Sequence, residues 1–405
     1  MHERKQSANT RERTAALEVF GAFLKLGLTS FGGPAAHIGF FRQELVVKRN
    51  WVSESQFAQL LAISQFLPGP ASSQLGFSLG LIRAGWPGAL AAFTAFTLPS
   101  ALLLFGFAAV LPHLSGNAGA GAIHGLKLVA MVFVAHAVIG MARQLCPDAA
   151  RQTVAALATI AILLSHHSHM QLAVIIVGAI VGLRLPKLST VAAGEALPLP
   201  YGTRTGGLLL LVFSALLLGT FTITSASDPL VSIWSAFYQT GALVFGGGHV
   251  VLPLLEQTVV APGWIGPEVF LAGYGAAQAI PGPLFSVAAY LGAQLPDGHG
   301  GASGSAIALL AIFLPGFLLV AGALPFWRAI SVRPAATRAI AGANAAVVGL
   351  LAAALYDPVF TSAVTDATDL AIGLIAFLLL VTWRRSALTV VVWCVLASAT
   401  AAVLA

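Results

Sequence analysis

Charge is what this sequence has least of. Asp, Glu, Lys and Arg make up 8% of its 405 residues, while 58% are hydrophobic. Soluble domains carry about 25% charged residues, so composition excludes an ordinary soluble fold of this length. Cysteine is nearly absent too. Cys146 and Cys394 are far apart, with no CxxC or metal-ligand spacing, which argues against a disulfide framework. There is no GxxxxGK[ST] and no GxGxxG, so nothing points to bound ATP or a dinucleotide. The polar, basic start MHERKQSANTRERT lacks the apolar region and cleavage site of a signal peptide. One further gap concerns sign. The 123 residues between Arg204 and Arg328 contain no Lys or Arg, but they hold Asp228, Glu256, Glu268 and Asp297.

Long apolar runs are what the sequence does have. Residues 87–111, 119–142, 303–325 and 387–405 reach the length of a membrane span, roughly 18 apolar residues. The expected fold is an all-α polytopic membrane protein. Its net charge of +6 then reads as membrane topology rather than nucleic-acid binding.

Two motifs interrupt this apolar background. QFLPGP at 65–70 returns as QAIPGP at 278–283. Further matches keep the same order. LTSFGGPAAH (28–37) pairs with ALVFGGGHVV (242–251), VVKRNW (46–51) with VVAPGW (259–264), and FTLPS (96–100) with IFLPG (312–316). A duplicated unit therefore covers 15–185 and 231–405. A polar tail (1–14) precedes it, and a linker with one joining apolar run (186–230) separates the copies.

A single joining helix inverts the second copy relative to the first if each copy crosses the membrane an even number of times. The Lys and Arg distribution fits that trace. With the N-terminus cytoplasmic, every Lys and Arg except Lys25 and Lys127 falls inside, and the C-terminus is external. About 10 to 13 membrane elements are expected. The stretch 34–50 is too polar for a lipid-facing span; it is either a buried half-helix or an interfacial helix anchored by Trp51.

Irregular backbone at membrane depth is tolerated inside protein or along a water-filled cavity. Inverted repeats with broken helices place substrate at the repeat interface. Proline suits the first turn of a helix, and glycine allows a ligand close to the backbone. A half-helix beginning after each Pro-Gly-Pro would aim its free N–H groups and positive dipole end at a small oxyanion. The bland alternative is a sharp turn between packed helices.

These residues resemble the chromate ion transporter family. Its long members have two related halves with Phe-Gly-Gly, Val-Val-x(3)-Trp and Pro-Gly-Pro in each. The resemblance implies a secondary transporter that expels chromate from a bacterial-type cytoplasmic membrane. The residues alone imply only a small anion, with sulfate, another small anion or a passive anion channel as alternatives. Two departures stand out: FGGGH at 245–249 against FGGPA at 31–35, and Glu256 one residue out of register with Glu44.

The expected substrate-binding set is Gly32, Gly33, Gln65, Pro68, Gly69, Pro70, Lys127, Gly246, Gly247, Gln278, Pro281, Gly282 and Pro283. Gln65 and Gln278 would donate amide hydrogen bonds, or else cap the carbonyls of a broken helix. Lys127 lies well inside an apolar helix, where charge is costly and commonly functional. Lys25, His37, Glu44, His124, His249 and Glu256 form a candidate charge or proton relay. Snorkelling for Lys25 and satisfied core positions for His37 and His249 are the plain alternatives. Arg42 and Arg83 suit topology and phospholipid contact. The SHHSH run at 165–169 has no acidic or cysteine neighbour and reads as a solvated loop. No metal or cofactor is expected. A metalloenzyme built on His37, His124 and His249 would lack HExxH and clustered carboxylates. Proton or ion coupling is expected, and a homodimer is left open.

Overall fold

The structure, a computed structural model, describes residues 2–165, 170–185, 197–222, 229–296, 299–331 and 333–404. The described residues are helical throughout, with no strand. The SHHSH run (beyond Ser165) and most of the polar linker lie outside them. In chain order the first half contains α1 (His2–Thr29), α2 (Gly33–Phe41), α3 (Glu54–Phe66), α4 (Ala71–Val110), α5 (Gly116–Leu145), α6 (Ala149–Leu164) and α7 (Met170–Gly182). The joining helix is α8 (Thr203–Thr222). The second half contains α9 (Pro229–Leu243), α10 (Val251–Leu255), α11 (Pro267–Ala279), α12 (Val287–Ala293), α13 (Gly301–Ala323), α14 (Trp327–Ser331), α15 (Pro334–Ala354), α16 (Thr361–Ala363), α17 (Ala367–Phe377) and α18 (Ala387–Leu404).

Six helices are long and apolar enough to cross a membrane: 71–113, 116–145, 203–221, 301–326, 334–363 and 387–404. Four shorter apolar helices accompany them, at 149–164, 170–182, 284–293 and 367–382. This is the polytopic all-α architecture that the composition demands. Residues 2–14, expected as a polar tail, continue directly into α1 as helix.

The two halves repeat the same local devices. In each, a helix ends at Phe-Gly-Gly, a short helix follows, and that helix widens into a π-helical turn. The turns cover Arg42–Lys48 and Glu256–Val260. So the polar stretch 34–50 is helical through Lys48, and the Trp51 N–H closes its end on the Leu45 carbonyl at 2.9 Å. It buries Phe41, Leu45 and Val46. A short apolar helix then runs to Pro-Gly-Pro. In the first half it is α3, fixed at its start by a reciprocal Ser53/Gln56 cap. After Pro-Gly-Pro comes a half-helix, a break and a long helix carrying Leu-Pro. The break in α4 lies at Ala84 and Gly85, where the backbone leaves helical geometry and Pro87 restarts it. In the second half the break is the complete gap between α12 and α13.

The halves are interlocked. Gly121 and Gly125 of α5 bring its backbone against Ser398 and Cys394 of α18. Gly178 and Gly182 of α7 lie in the same way against Gly342 of α15. Each half thus lays its last helix on the other half's long helix after the Leu-Pro element. Small residues four apart allow this close packing where lipid supplies no hydrophobic drive between helices. Asp148 caps α6, and the Arg151 backbone N–H and guanidinium hold its carboxyl below the usual range.

Candidate functional site

Four chain breaks meet at the contact between the halves. Gly32 and Gly33 break the chain in the first half, and Gly246 and Gly247 in the second. All four have positive φ, as do Gly69 and Gly282 at the centres of the two Pro-Gly-Pro motifs. The breaks are tied crosswise. Gly69 N–H donates to the Val244 carbonyl at 2.7 Å, and Gly282 N–H donates to the Ser30 carbonyl at 3.1 Å. Each Pro-Gly-Pro glycine is therefore bonded to the residue just before the opposite Phe-Gly-Gly.

Side chains complete the tie. Gln74 Nε2 donates to the Pro68 carbonyl at 2.8 Å and to the Gly316 carbonyl, beside the second Leu-Pro, at 3.0 Å. Ser100, beside the first Leu-Pro, shares a 2.7 Å hydrogen bond with Ser286. His37 is fully buried. Its Nε2 lies 3.2 Å from the Ser30 carbonyl, which only accepts, so Nε2 carries the proton. Nδ1 then accepts from the Ser72 hydroxyl at 3.4 Å. His37 thus braces the first break with both ring nitrogens hydrogen-bonded.

A cavity of about 310 Å³ opens beside these breaks. Gly32, Gln65, Gly69, Gly246, Gly247 and His249 of the expected set line it. Gly33, Pro68, Pro70, Gln278, Pro281, Gly282 and Pro283 do not. The expected symmetric cradle is therefore uneven: both Phe-Gly-Gly breaks contribute, but only the first Pro-Gly-Pro does. Gln278 is buried and its amide nitrogen makes no well-formed hydrogen bond.

Four polar lining residues escaped the sequence reading: Ser64, His136, Gln144 and Asn344. For α5 there was a signal. His136, Gly140 and Gln144 recur every four residues along one face of an otherwise apolar helix. Asn344 had no such pattern; only the crossing of α15 brings it to the Gly246 backbone. No Asp, Glu, Lys or Arg lines the cavity among the described residues. Amides, imidazoles and glycine-rich backbone supply its hydrogen-bond donors, while the Ser64 hydroxyl already donates to the Leu60 carbonyl at 2.9 Å.

Lys127 and His124 occupy a different cavity, of about 610 Å³. The starts of α5, α11 and α17 and the end of α18 meet there. Lys127 Nζ lies 3.2 Å from Glu268, and His124 Nε2 lies 2.7 Å from Asp369. Asp369 also accepts from the Thr365 N–H and hydroxyl.

Lys25 and Glu44 belong to a third cluster. Buried Glu44 faces Lys25 at 3.3 Å, Lys48 at 3.5 Å and Arg49 at 3.1 Å. Arg49 and Arg83 pack on Trp51, and Arg83 pairs with Glu18 at 2.7 Å. Arg83 therefore locks local structure whatever it does for topology. Glu256 sits on the π-helical turn after α10, outside the central cavity. The described residues contain no group of three or more His, Cys, Asp or Glu able to hold a metal.

Known proteins resemble this chain over most of its length. A probable chromate transport protein of Synechococcus elongatus is 30% identical over 385 residues, covering 89% of this chain and 88% of its own. Chromate transport proteins of Pseudomonas aeruginosa and Cupriavidus metallidurans are 27% and 24% identical over 352 and 337 residues. They cover 84% and 82% of this chain and 80% of each relative. No solved structure matches. The chromate transporter family matches twice, at residues 17–183 and 231–403, which are the two repeats, and the chain belongs to that family.

Proposed function

We propose that this protein is a secondary transporter that exports chromate across the cytoplasmic membrane, holding the anion in the cavity between the two Phe-Gly-Gly breaks and the first Pro-Gly-Pro. The observation that carries this reading is the cavity's chemistry. It is rich in donors, free of carboxylates among the described residues, and set where broken helices of both repeats meet. An oxyanion accepts hydrogen bonds and donates none, so Gln65, Gln144 and Asn344 suit it while a carboxylate would repel it. The half-helix starting at Ala71, which also lines the cavity, adds the positive end of its dipole.

The inverted trace gives export its drive. With the N-terminus inside, a dianion moving outward gains about 2.3 kcal/mol per charge for each 100 mV of inside-negative potential. The cavity with Lys127 and His124 gathers helix ends that this trace puts outside, which suits an exit vestibule. Glu44 and its three cations fall at the cytoplasmic entrance.

The test is radiolabelled chromate uptake into inverted membrane vesicles, with and without sulfate as competitor. Uptake that is saturable and shows counterflow against unlabelled chromate supports a carrier. Uptake without counterflow indicates a passive channel. No uptake beyond vesicles lacking the protein rejects the reading.

A further inference from the structure

The titratable side chains lining the central cavity, among the described residues, are His136 and His249. They differ in exposure. His136, on α5, is exposed, and His249 is half-buried. Tyr274, whose hydroxyl lies 3.0 Å from His249 Nδ1, is fully buried. Both imidazoles line this one cavity. The other charged groups of this region stay out of the lining. Glu256, Asp357 and Arg143, the last next to Gln144, do not line the cavity.

A dianion leaving water needs net positive charge nearby, and amides supply only dipoles. Imidazole is the side chain that gains charge near neutral pH. The hydrogen bond to Tyr274 does not prevent this. A phenol hydroxyl donates to the neutral Nδ1 and accepts from the protonated one, so the bond survives either state. Like-charge repulsion disfavours a second proton on a neighbouring imidazole.

We propose that His136 and His249 take up one shared proton when the dianion binds, which makes the proton a co-ligand of the transported anion. This rests on the reading that chromate occupies this cavity. His136, the more exposed of the two, is the entry point for the proton, and His249 holds it beside buried Tyr274. The loaded site then gains a net charge of minus one, so an inside-negative potential still drives it outward. Two protons would make the step electroneutral. The linkage sign follows. Bound anion raises the imidazoles' proton affinity, so anion affinity is highest in mild acid. It falls as pH rises through the histidine range, by up to about tenfold per pH unit for one proton.

The test uses purified full-length protein and chromate itself. Affinity is measured across the neutral pH range, and protons taken up per chromate bound are followed with an indicator in weak buffer. Chromate's own protonation is common to all variants, so the difference between variants is the readout. Wild type should take up about one proton more than the His136→Gln/His249→Gln variant, whose affinity should depend less on pH. Equal uptake, with both binding chromate, overturns the proposal and leaves the transport reading intact. Absence of chromate binding by the wild type overturns both. Because His136 is the more exposed of the two, His136→Gln tests the same point with little disturbance of the core. Its pH midpoint of binding should move, and an unmoved midpoint overturns the proposal.

Discussion

Gly69 donates its backbone N–H to the carbonyl of Val244, at 2.7 Å, and so ties the first Pro-Gly-Pro to the second Phe-Gly-Gly. Gly282 does the same to Ser30 in the opposite direction, at 3.1 Å. The motifs that break the helices are therefore also the joint between the repeats. A duplicated sequence keeps both halves of such a joint because each motif needs the other copy's partner.

This joint makes alanine at either glycine a stability test rather than a clean ligand test. Both glycines have positive φ, at 124° and 107°, where an L-residue is strained. A Cβ on Gly69 would also meet the Gln74 amide, and one on Gly282 would meet the Ser100 hydroxyl. Gly69→Ala and Gly282→Ala should each destabilise by about 1–3 kcal/mol. Thermal melting of the detergent-purified variants checks this. Wild-type melting for both would mean that the crosswise joint carries no strain-sensitive geometry.

The order of breaks along the chain was legible in the sequence, because proline and glycine disrupt helices locally. The crosswise pairing was not, since it depends on how two distant halves dock. The same limit hid Asn344. It also hid where the expected half-helix after the first Pro-Gly-Pro ends: only the backbone reveals the kink at Ala84 and Gly85. Lys127 illustrates the converse. Its position in an apolar helix marked it as unusual, but its sequence gave no hint that Glu268, 141 residues away, would face it.

Lys127 therefore has a separable role. Its side chain is 8% exposed and its partner Glu268 is 73% exposed, so the pair sits at the edge of the outer cavity. Lys127→Met should leave chromate affinity within about twofold, because the central cavity is untouched, an affinity change under 0.5 kcal/mol. It should still abolish transport through loss of a charge on the exit path, and Lys127→Arg should retain part of it. Affinity by equilibrium binding and flux in vesicles, measured on the same preparations, distinguish the outcomes. Full transport by the methionine variant would reduce Lys127 to a structural ion pair.

Topology gives an independent check. The Lys and Arg distribution predicts a cytoplasmic N-terminus and an external C-terminus. A C-terminal alkaline phosphatase fusion should be active, and a C-terminal green fluorescent protein fusion dark. The reverse pattern would contradict the inverted-repeat trace.

The most direct test of the central claim is chromate uptake into inverted vesicles carrying Gln65→Ala, Asn344→Ala or both. These side chains come from opposite repeats, line the central cavity, and make no hydrogen bond in it on which the fold depends among the described residues. Each lost donor to a charged ligand should weaken half-saturation by about 1.5–3 kcal/mol, roughly 10- to 150-fold. Expression and melting should stay at wild-type levels, and the double variant should be weaker than either single one. Unchanged half-saturation in all three variants would contradict the account and place the anion elsewhere in the protein.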